Sequence, residues 1–215
     1  TDNTDIIYRF GRLPLADDIE QIQRIAVENT IDLVVVDSLG MAAGGDQDKS
    51  TDIIRYFQAL RTLQCTTLTL DHVNKEGGLY GSVYKYNAAR CIFEAKAVSE
   101  PGGNQLDIGL YHRKMNNGRL EKPLGFRITF EDRCYTVAQQ SLATVPELDL
   151  AQPLRLRIHE LLRHGALSVK QLAEELSSTD ATVRKILNRH RAMFQPVYLE
   201  GQREAAWGLK QSVEA

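Results

Sequence analysis

One segment limits the possible folds more than any other: the nearly continuous aliphatic run Ile31-Asp-Leu-Val-Val-Val-Asp37. A strand that is apolar at consecutive positions is typical of a parallel sheet with both faces covered. Apolar residues at helical spacing precede the run in residues 14–28 and follow it in residues 52–63, with a Gly- and Asp-rich loop predicted at 38–50. A second strand is predicted at residues 66–70. This alternation predicts an α/β fold with a mostly parallel sheet.

Further strand signals occur in the same part of the chain. Residues 6–10 are rich in β-branched and aromatic side chains and are predicted to form a strand. Residues 106–113 and 126–130 are predicted to pair as antiparallel strands around the turn Asn116-Asn-Gly118, because the connection between them is short. Residues 1–137 are therefore expected to form an α/β core that ends in antiparallel strands.

The rest of the chain has a different pattern. Residues 138–152 are polar, contain Pro146 and are predicted to be a linker. Three helices are expected after it, the second of them starting at a capping box of Ser168 and Gln171. A short hairpin follows, in which Trp207 is expected to be a core residue. Three helices and a hairpin over residues 153–212 predict a small winged helix-turn-helix domain.

Charge is distributed unevenly along the chain. The formal net charge is only -2, but residues 1–150 carry 16 basic and 21 acidic side chains, whereas residues 151–215 carry 10 and 7. A basic end on an acidic body favours an anionic partner for that end. The three cysteines are too widely spaced for a zinc motif and favour reduced thiols, as in the cytoplasm. No apolar run approaches the roughly 18 residues of a membrane span, so no membrane partner is expected.

Three positions in the body are candidates for chemistry. Asp37, followed by Ser38, ends a buried strand, at the edge where open α/β sheets bind ligands and where nucleotide hydrolases hold Mg²⁺; a structural cap is the alternative. His72 follows the next strand and could sense a γ-phosphate, or be an ordinary loop histidine. Lys114 lies in a basic cluster near a tight turn, which could equally be a solvated hairpin tip.

Together these positions form an ordered set of motifs. Asp37-Ser38, Asp71-His72-x-x-Lys75, Gly81-Ser82-x₇-Arg90 and Lys114-x-Asn116-x-Gly118 resemble the carboxyl half of RecA-like hexameric NTPases. The resemblance extends in particular to the RepA-type replicative helicases and related phage and plasmid primase-helicase ATPases. It covers about residues 1–137 and implies a partial RecA-like P-loop NTPase core, with ATP and Mg²⁺ as cofactors of the complete protein.

The resemblance also implies roles for individual residues. Asp37 matches the Walker B aspartate that binds Mg²⁺, and Ser38 lies beside it at the nucleotide. His72 matches the polar sensor of nucleotide state, and Lys114 matches the basic finger that reaches a neighbouring subunit. The family assembles as homo-oligomers, such as hexameric rings. The loop that faces single-stranded DNA in the central channel corresponds to residues 74–87, with Lys75, Tyr80, Tyr84 and Lys85 as candidate contacts.

One family element is absent from these 215 residues. The phosphate-binding motif G-x-x-x-x-G-K-[ST] does not occur in the sequence. Its backbone cradle and lysine are the groups that hold the β- and γ-phosphates of a nucleotide. In the family this motif lies upstream of the region that the chain resembles, so the sequence is expected to be part of a longer protein. We expect these residues alone to bind no nucleotide stably and to show no appreciable ATPase activity.

The predicted third helix supplies a second set of candidate DNA contacts. In a helix-turn-helix this helix enters the major groove. With Val183, Ile186 and Leu187 turned inward, the outward side chains are Thr182, Arg184, Lys185, Asn188 and Arg189. Arg and Lys can bind phosphates or guanine, and Asn can pair with adenine. A helix used for protein contacts is the alternative.

Two hypotheses about function follow from these observations. In the first, the chain is the carboxyl-terminal portion of a RecA-like DNA-dependent ATPase or helicase, acting in DNA replication or recombination of a phage, plasmid or bacterial system. Single-stranded DNA would then contact the core loop and duplex DNA the winged helix. In the second, the chain is a non-enzymatic DNA-binding replication initiator or transcription regulator that uses its winged helix.

Overall fold

A computed structural model describes residues 6–46, 48–73, 82–198 and 205–210. The chain divides into two compact units, Thr1–Ile92 and Phe93–Ala215. The predicted division at residues 138–152 therefore falls inside the second unit. Lys75 and Tyr80, two of the predicted DNA contacts, lie outside the described residues.

The first unit contains a two-stranded parallel sheet and helices on one of its faces. Strands β1 and β2 pair in parallel with Asp37 opposite Leu70, as the sequence predicts. Val36 of β1 packs into a core with buried side chains of the helices, among them Ile53 and Tyr56, each 0% exposed. The elements of this unit are α1 (Leu15–Glu28), β1 (Leu33–Asp37), α2 (Leu39–Ala43), α3 (Ser50–Thr62), β2 (Thr66–Leu70) and α4 (Tyr84–Ala88).

The prediction that β1 is covered on both faces is wrong for the described structure. Alternate side chains of the two strands are about half exposed, because the helices pack on the opposite face. Leu33 and Val35 of β1 are 50% and 54% exposed, and Leu68 and Leu70 of β2 are 50% and 43% exposed. A run of apolar residues shows that a strand can be buried on two sides, but the second cover has to come from another segment.

Two local predictions in this unit are also corrected. Residues 6–10 form no strand, and Tyr8 and Phe10 are 83% and 93% exposed. A β-prone segment becomes a strand only when its backbone groups find a partner strand. The predicted loop at 38–50 contains the short helix α2, which buries Leu39 against the core. The chain leaves α2 through Gly44, whose positive φ of 59° suits glycine.

The second unit begins with a four-stranded sheet in the order β3-β4-β5-β6. The predicted antiparallel pairing of β4 and β5 is confirmed, with Ile108 opposite Phe126. Strand β6, which the sequence did not predict, pairs antiparallel with β5 along its whole length. The strands are β3 (Cys91–Val98), β4 (Gln105–Met115), β5 (Leu124–Phe130) and β6 (Tyr135–Gln140).

The segment that was predicted to be a linker is folded. It holds the end of β6, a 3₁₀ turn at Leu142–Thr144 and helix α5 (Pro146–Leu150). Tyr111 of β4 is 1% exposed, packs against Leu148, and donates a hydrogen bond of 2.6 Å from its hydroxyl to the Leu148 carbonyl. Burial raises the pKa of the Tyr111 hydroxyl. The polar composition of the segment does not reveal this partner on a distant strand.

Three helices and an antiparallel hairpin complete the second unit, as predicted. Ser168 and Gln171 form both hydrogen bonds of the expected capping box. Val183 and Leu187 are fully buried, in a core that Trp207 contacts from the hairpin. The elements are α6 (Leu154–Leu162), α7 (Val169–Glu175), α8 (Asp180–Arg189), β7 (Phe194–Val197) and β8 (Ala206–Leu209).

Two further features of the structure concern the cysteines and the lengths of the helices. Cys65, Cys91 and Cys134 are all free thiols. Within the part of the chain that the structure describes, every helix is too short or too polar to cross a membrane.

Candidate functional site

The candidate site in the first unit lies where the two parallel strands end. Asp37 is the last residue of β1, and Asp71 and His72 directly follow β2. Because Asp37 is paired in register with Leu70, these polar residues lie at one edge of the sheet. Asp37 and His72 are exposed, and Asp71 is half-buried. A cis peptide bond joins Asp37 to Ser38, and Ser38, which precedes α2, makes no capping hydrogen bond with its side chain.

Two contacts hold the end of β2 in place. The hydroxyl of buried Tyr56 on α3 lies 2.8 Å from the Thr69 hydroxyl. The ammonium of Lys85 on α4 donates to both carboxylate oxygens of Asp71, at 3.0 and 3.3 Å. Burial and, to a smaller extent, the charge of Asp71 raise the pKa of Tyr56 to about 12, so its hydroxyl stays protonated near neutral pH. His72 therefore follows a strand end that is fixed from two helices.

The donors at this edge suit a magnesium ion that is shared with a nucleotide. Mg²⁺ prefers hard oxygen ligands, keeps several waters and takes one or two carboxylates together with substrate phosphates. The described residues contain no salt bridge to Asp37, and the Asp71 carboxylate is bound by Lys85. No group of three or more His, Cys, Asp or Glu within the described ranges could hold a metal by itself. Asp37 and the neighbouring Ser38 thus offer oxygen donors that could hold such an ion.

Lys114 belongs to the second unit and lies near the end of β4. Its side chain is half-buried, and it directly follows His112 and Arg113, whose side chains both contact other residues. Arg113 donates to Glu94 of β3 at 2.6 Å and lies over the Tyr111 ring. His112 is 6% exposed, stacks on Phe93 with a centroid distance of 4.5 Å, and accepts a hydrogen bond from the Glu121 backbone. Strand β4 is thus held firmly up to the predicted finger position.

The predicted DNA contacts in the core loop have different surroundings. Tyr84 is 44% exposed at the start of α4, so its ring is accessible for stacking. Lys85 is only 3% exposed and binds Asp71, so its ammonium has almost no surface to offer a phosphate in this conformation. The structure thus gives Lys85 a structural contact that the sequence did not suggest.

The five candidate residues of α8 share one exposed surface. All of them are exposed, while Val183 and Leu187 fill the core on the other side of the helix. This confirms the predicted orientation of the helix, although it does not test contact with DNA. We call this surface the α8 face; it consists of Thr182, Arg184, Lys185, Asn188 and Arg189.

Several contacts that shape these sites were not found by sequence reasoning, although Asp71 itself belongs to the motif set. Asp71 stands directly after β2, as Asp37 ends β1, and this parallel placement was the available signal. Its partner Lys85, by contrast, lies 14 residues further along the chain. Arg191, just after α8, donates to the Asn188 side chain and lies against Trp207. No sequence motif connects those three residues.

One comparison with known proteins bears on the first unit. A family model described as an AAA domain matches residues 3–78, which include β1, β2, Asp37 and His72. The match supports a P-loop ATPase family. ATPases of the RecA and AAA kind use a nucleotide and Mg²⁺, in agreement with the oxygen donors at the strand ends. The match does not extend to Lys114 or to the second unit, and no curated protein matches the chain.

Proposed function

We propose that this chain is the carboxyl-terminal portion of a RecA-like ATPase that acts on DNA in replication or recombination. The observation that carries the proposal is the placement of Asp37 and His72 at one edge of a parallel sheet, inside the region that matches an ATPase family. Asp37 would bind Mg²⁺ and His72 would respond to the γ-phosphate. Lys114 would act on a nucleotide bound by a neighbouring copy, in a homo-oligomer such as a ring.

The DNA part of the proposal rests on the second unit. Three helices and a hairpin match the layout of a winged helix-turn-helix, in which α8 would be the recognition helix. Arg184, Lys185 and Arg189 give the α8 face three exposed cations beside Asn188 and Thr182. Cations on one helix surface suit the phosphate backbone of duplex DNA. Tyr84 would stack on single-stranded DNA in the core and would act together with the predicted contacts Lys75 and Tyr80.

Binding to a short fluorescent duplex, measured by anisotropy during a salt titration, tests the DNA part. Each phosphate contact contributes about -0.9 to the slope of log K against log salt, so three cations predict a slope of about -3. We expect binding that weakens steeply from about 50 to 200 mM salt. Absence of binding, or a slope near zero, would instead favour a protein-binding role for α8.

A non-enzymatic DNA-binding protein is the second candidate. One observation favours it: the sequence contains no G-x-x-x-x-G-K-[ST] motif. In that case the first unit would serve as a scaffold, and the function would lie in α8 alone. The two candidate functions differ in whether Asp37 binds a metal–nucleotide complex.

A further inference from the structure

We infer that Arg191 is a positioning residue that fixes the side-chain amide of Asn188 for reading a single adenine in duplex DNA. The inference rests on the proposed DNA contact of the α8 face and goes beyond it, because it assigns a base and a residue outside that face. It follows from a chain of contacts that runs from the hairpin through Arg191 to α8.

The chain of contacts begins at a fixed point. Trp207 lies on β8, opposite Pro196 of β7. Its backbone also forms two hydrogen bonds with Leu167, at 2.7 and 3.0 Å. The side chain packs against the core that includes Val183 and Leu187. The indole ring is therefore held by the fold and offers a stable surface to a neighbour.

Arg191 lies over the Trp207 ring. Its guanidinium carbon lies 5.9 Å from the centre of the Trp207 ring, within the range of a cation–π contact. From there its Nη2 donates a hydrogen bond of 2.9 Å to Oδ1 of Asn188. A planar guanidinium held on an aromatic face donates in a fixed direction, which a lysine ammonium does not.

The chemistry of this contact fixes which way the Asn188 amide points. Arg191 carries only donors, so the atom that faces it must be the carbonyl oxygen and not the NH₂ group. Rotating the amide by half a turn would place two donors against each other. The Arg191 contact therefore selects one of the two orientations that an exposed asparagine would otherwise adopt.

A fixed amide presents a defined pattern to a base edge. Adenine offers a donor at N6 and an acceptor at N7, and Asn matches it with its carbonyl oxygen and its NH₂ group. A carbonyl oxygen has two acceptor positions, so Oδ1 can receive Arg191 and still accept from adenine N6. The reversed amide would present the opposite order and would not match adenine. Orientation by Arg191 thus sets the base that Asn188 recognises.

Selection of bound duplexes from a randomised library, followed by sequencing, tests the inference. For the unaltered chain we expect a preference for A·T at one position of about 10- to 100-fold, the range of one bidentate contact. Arg191→Lys keeps the charge but loses the fixed direction, so it should keep the affinity for duplexes without the preferred base within about 2-fold and lose most of that preference. Asn188→Ala should also abolish the preference, because it removes the amide that contacts the base.

Arg155→Lys is the matched control, because it changes an exposed arginine of the same unit that lies outside the α8 face. It should retain the base preference. Trp207 is the single tryptophan of the chain, so its fluorescence reports directly on the cation beside its ring. Arg191→Lys should shift the emission, while Arg155→Lys should leave it unchanged, and thermal unfolding should be similar for both.

Three results would overturn the inference in distinguishable ways. Binding without any base preference, or a preference that survives in Arg191→Lys, would contradict the role of Arg191 and leave the proposed function intact. Absence of DNA binding by the unaltered chain would contradict both.

Discussion

Reversing two charges on the α8 face, with Arg184→Glu and Lys185→Glu together, is expected to weaken duplex DNA binding by roughly 100-fold at about 0.1 M salt. Both side chains are exposed, so the change should leave the core around Val183 and Leu187 unaltered. Loss of two phosphate contacts should also reduce the steepness of the salt dependence by about 2. Anisotropy at several salt concentrations measures both effects.

A control must change the net charge equally without touching α8. Arg155→Glu with Arg163→Glu does so, because both arginines are exposed and belong to the α6 region. This control should lose much less affinity than the α8 variant. Equal losses in the two variants would show that binding depends on total charge and that α8 is not the contact surface.

Replacing Asp71, whose carboxylate binds the buried Lys85, is expected to have the largest effect on stability. Asp71→Asn should lower the free energy of unfolding of the first unit by about 3 kcal/mol, since Lys85 would lose its carboxylate partner in the interior. The expectation is at the low end of the range for such losses because the Asp71 side chain is 17% exposed. Hydrogen exchange of the β1 and β2 amides measures the stability of this unit.

The matched control for this prediction is an ion pair on the surface of the same unit. Asp17 pairs with Arg55, and their side chains are 39% and 56% exposed. Exposed pairs contribute between about 0 and 1 kcal/mol, so Asp17→Asn should change the exchange of the same amides only slightly. Similar effects of Asp17→Asn and Asp71→Asn would contradict a structural role for the Lys85–Asp71 pair.

Local patterns predicted much of the fold because they depend on neighbouring residues. The capping box of Ser168 and Gln171 fixed the start of α7, and the aliphatic run before Asp37 indicated β1. The inward residues Val183 and Leu187 also follow from helical periodicity alone. These signals are complete within a few positions of the chain.

Features that depend on distant partners were not predictable in the same way. The segment 138–152 is folded because Tyr111, on a strand far away in sequence, packs on Leu148. Residues 6–10 have strand-forming side chains but no partner strand in the described structure. The sequence predicts Lys85 to be a DNA-contacting cation of the core loop, whereas in the structure it binds Asp71. In each case composition shows which structures and contacts a segment can form, and tertiary packing decides which of them it forms.

Under the proposed function, Asp37 binds the metal of a metal–nucleotide complex at the edge of the β1–β2 sheet. Because the chain has no phosphate-binding loop, weak binding is a better measure than turnover. The direct test is NMR of the chain with Mn²⁺–ATP, in which paramagnetic Mn²⁺ replaces Mg²⁺ and broadens nearby signals. We predict selective broadening around Asp37, Ser38 and His72 that is lost in Asp37→Asn, with Asp46→Asn as an exposed control that retains it. Broadening elsewhere, or broadening that is unchanged in Asp37→Asn, would contradict this role of Asp37.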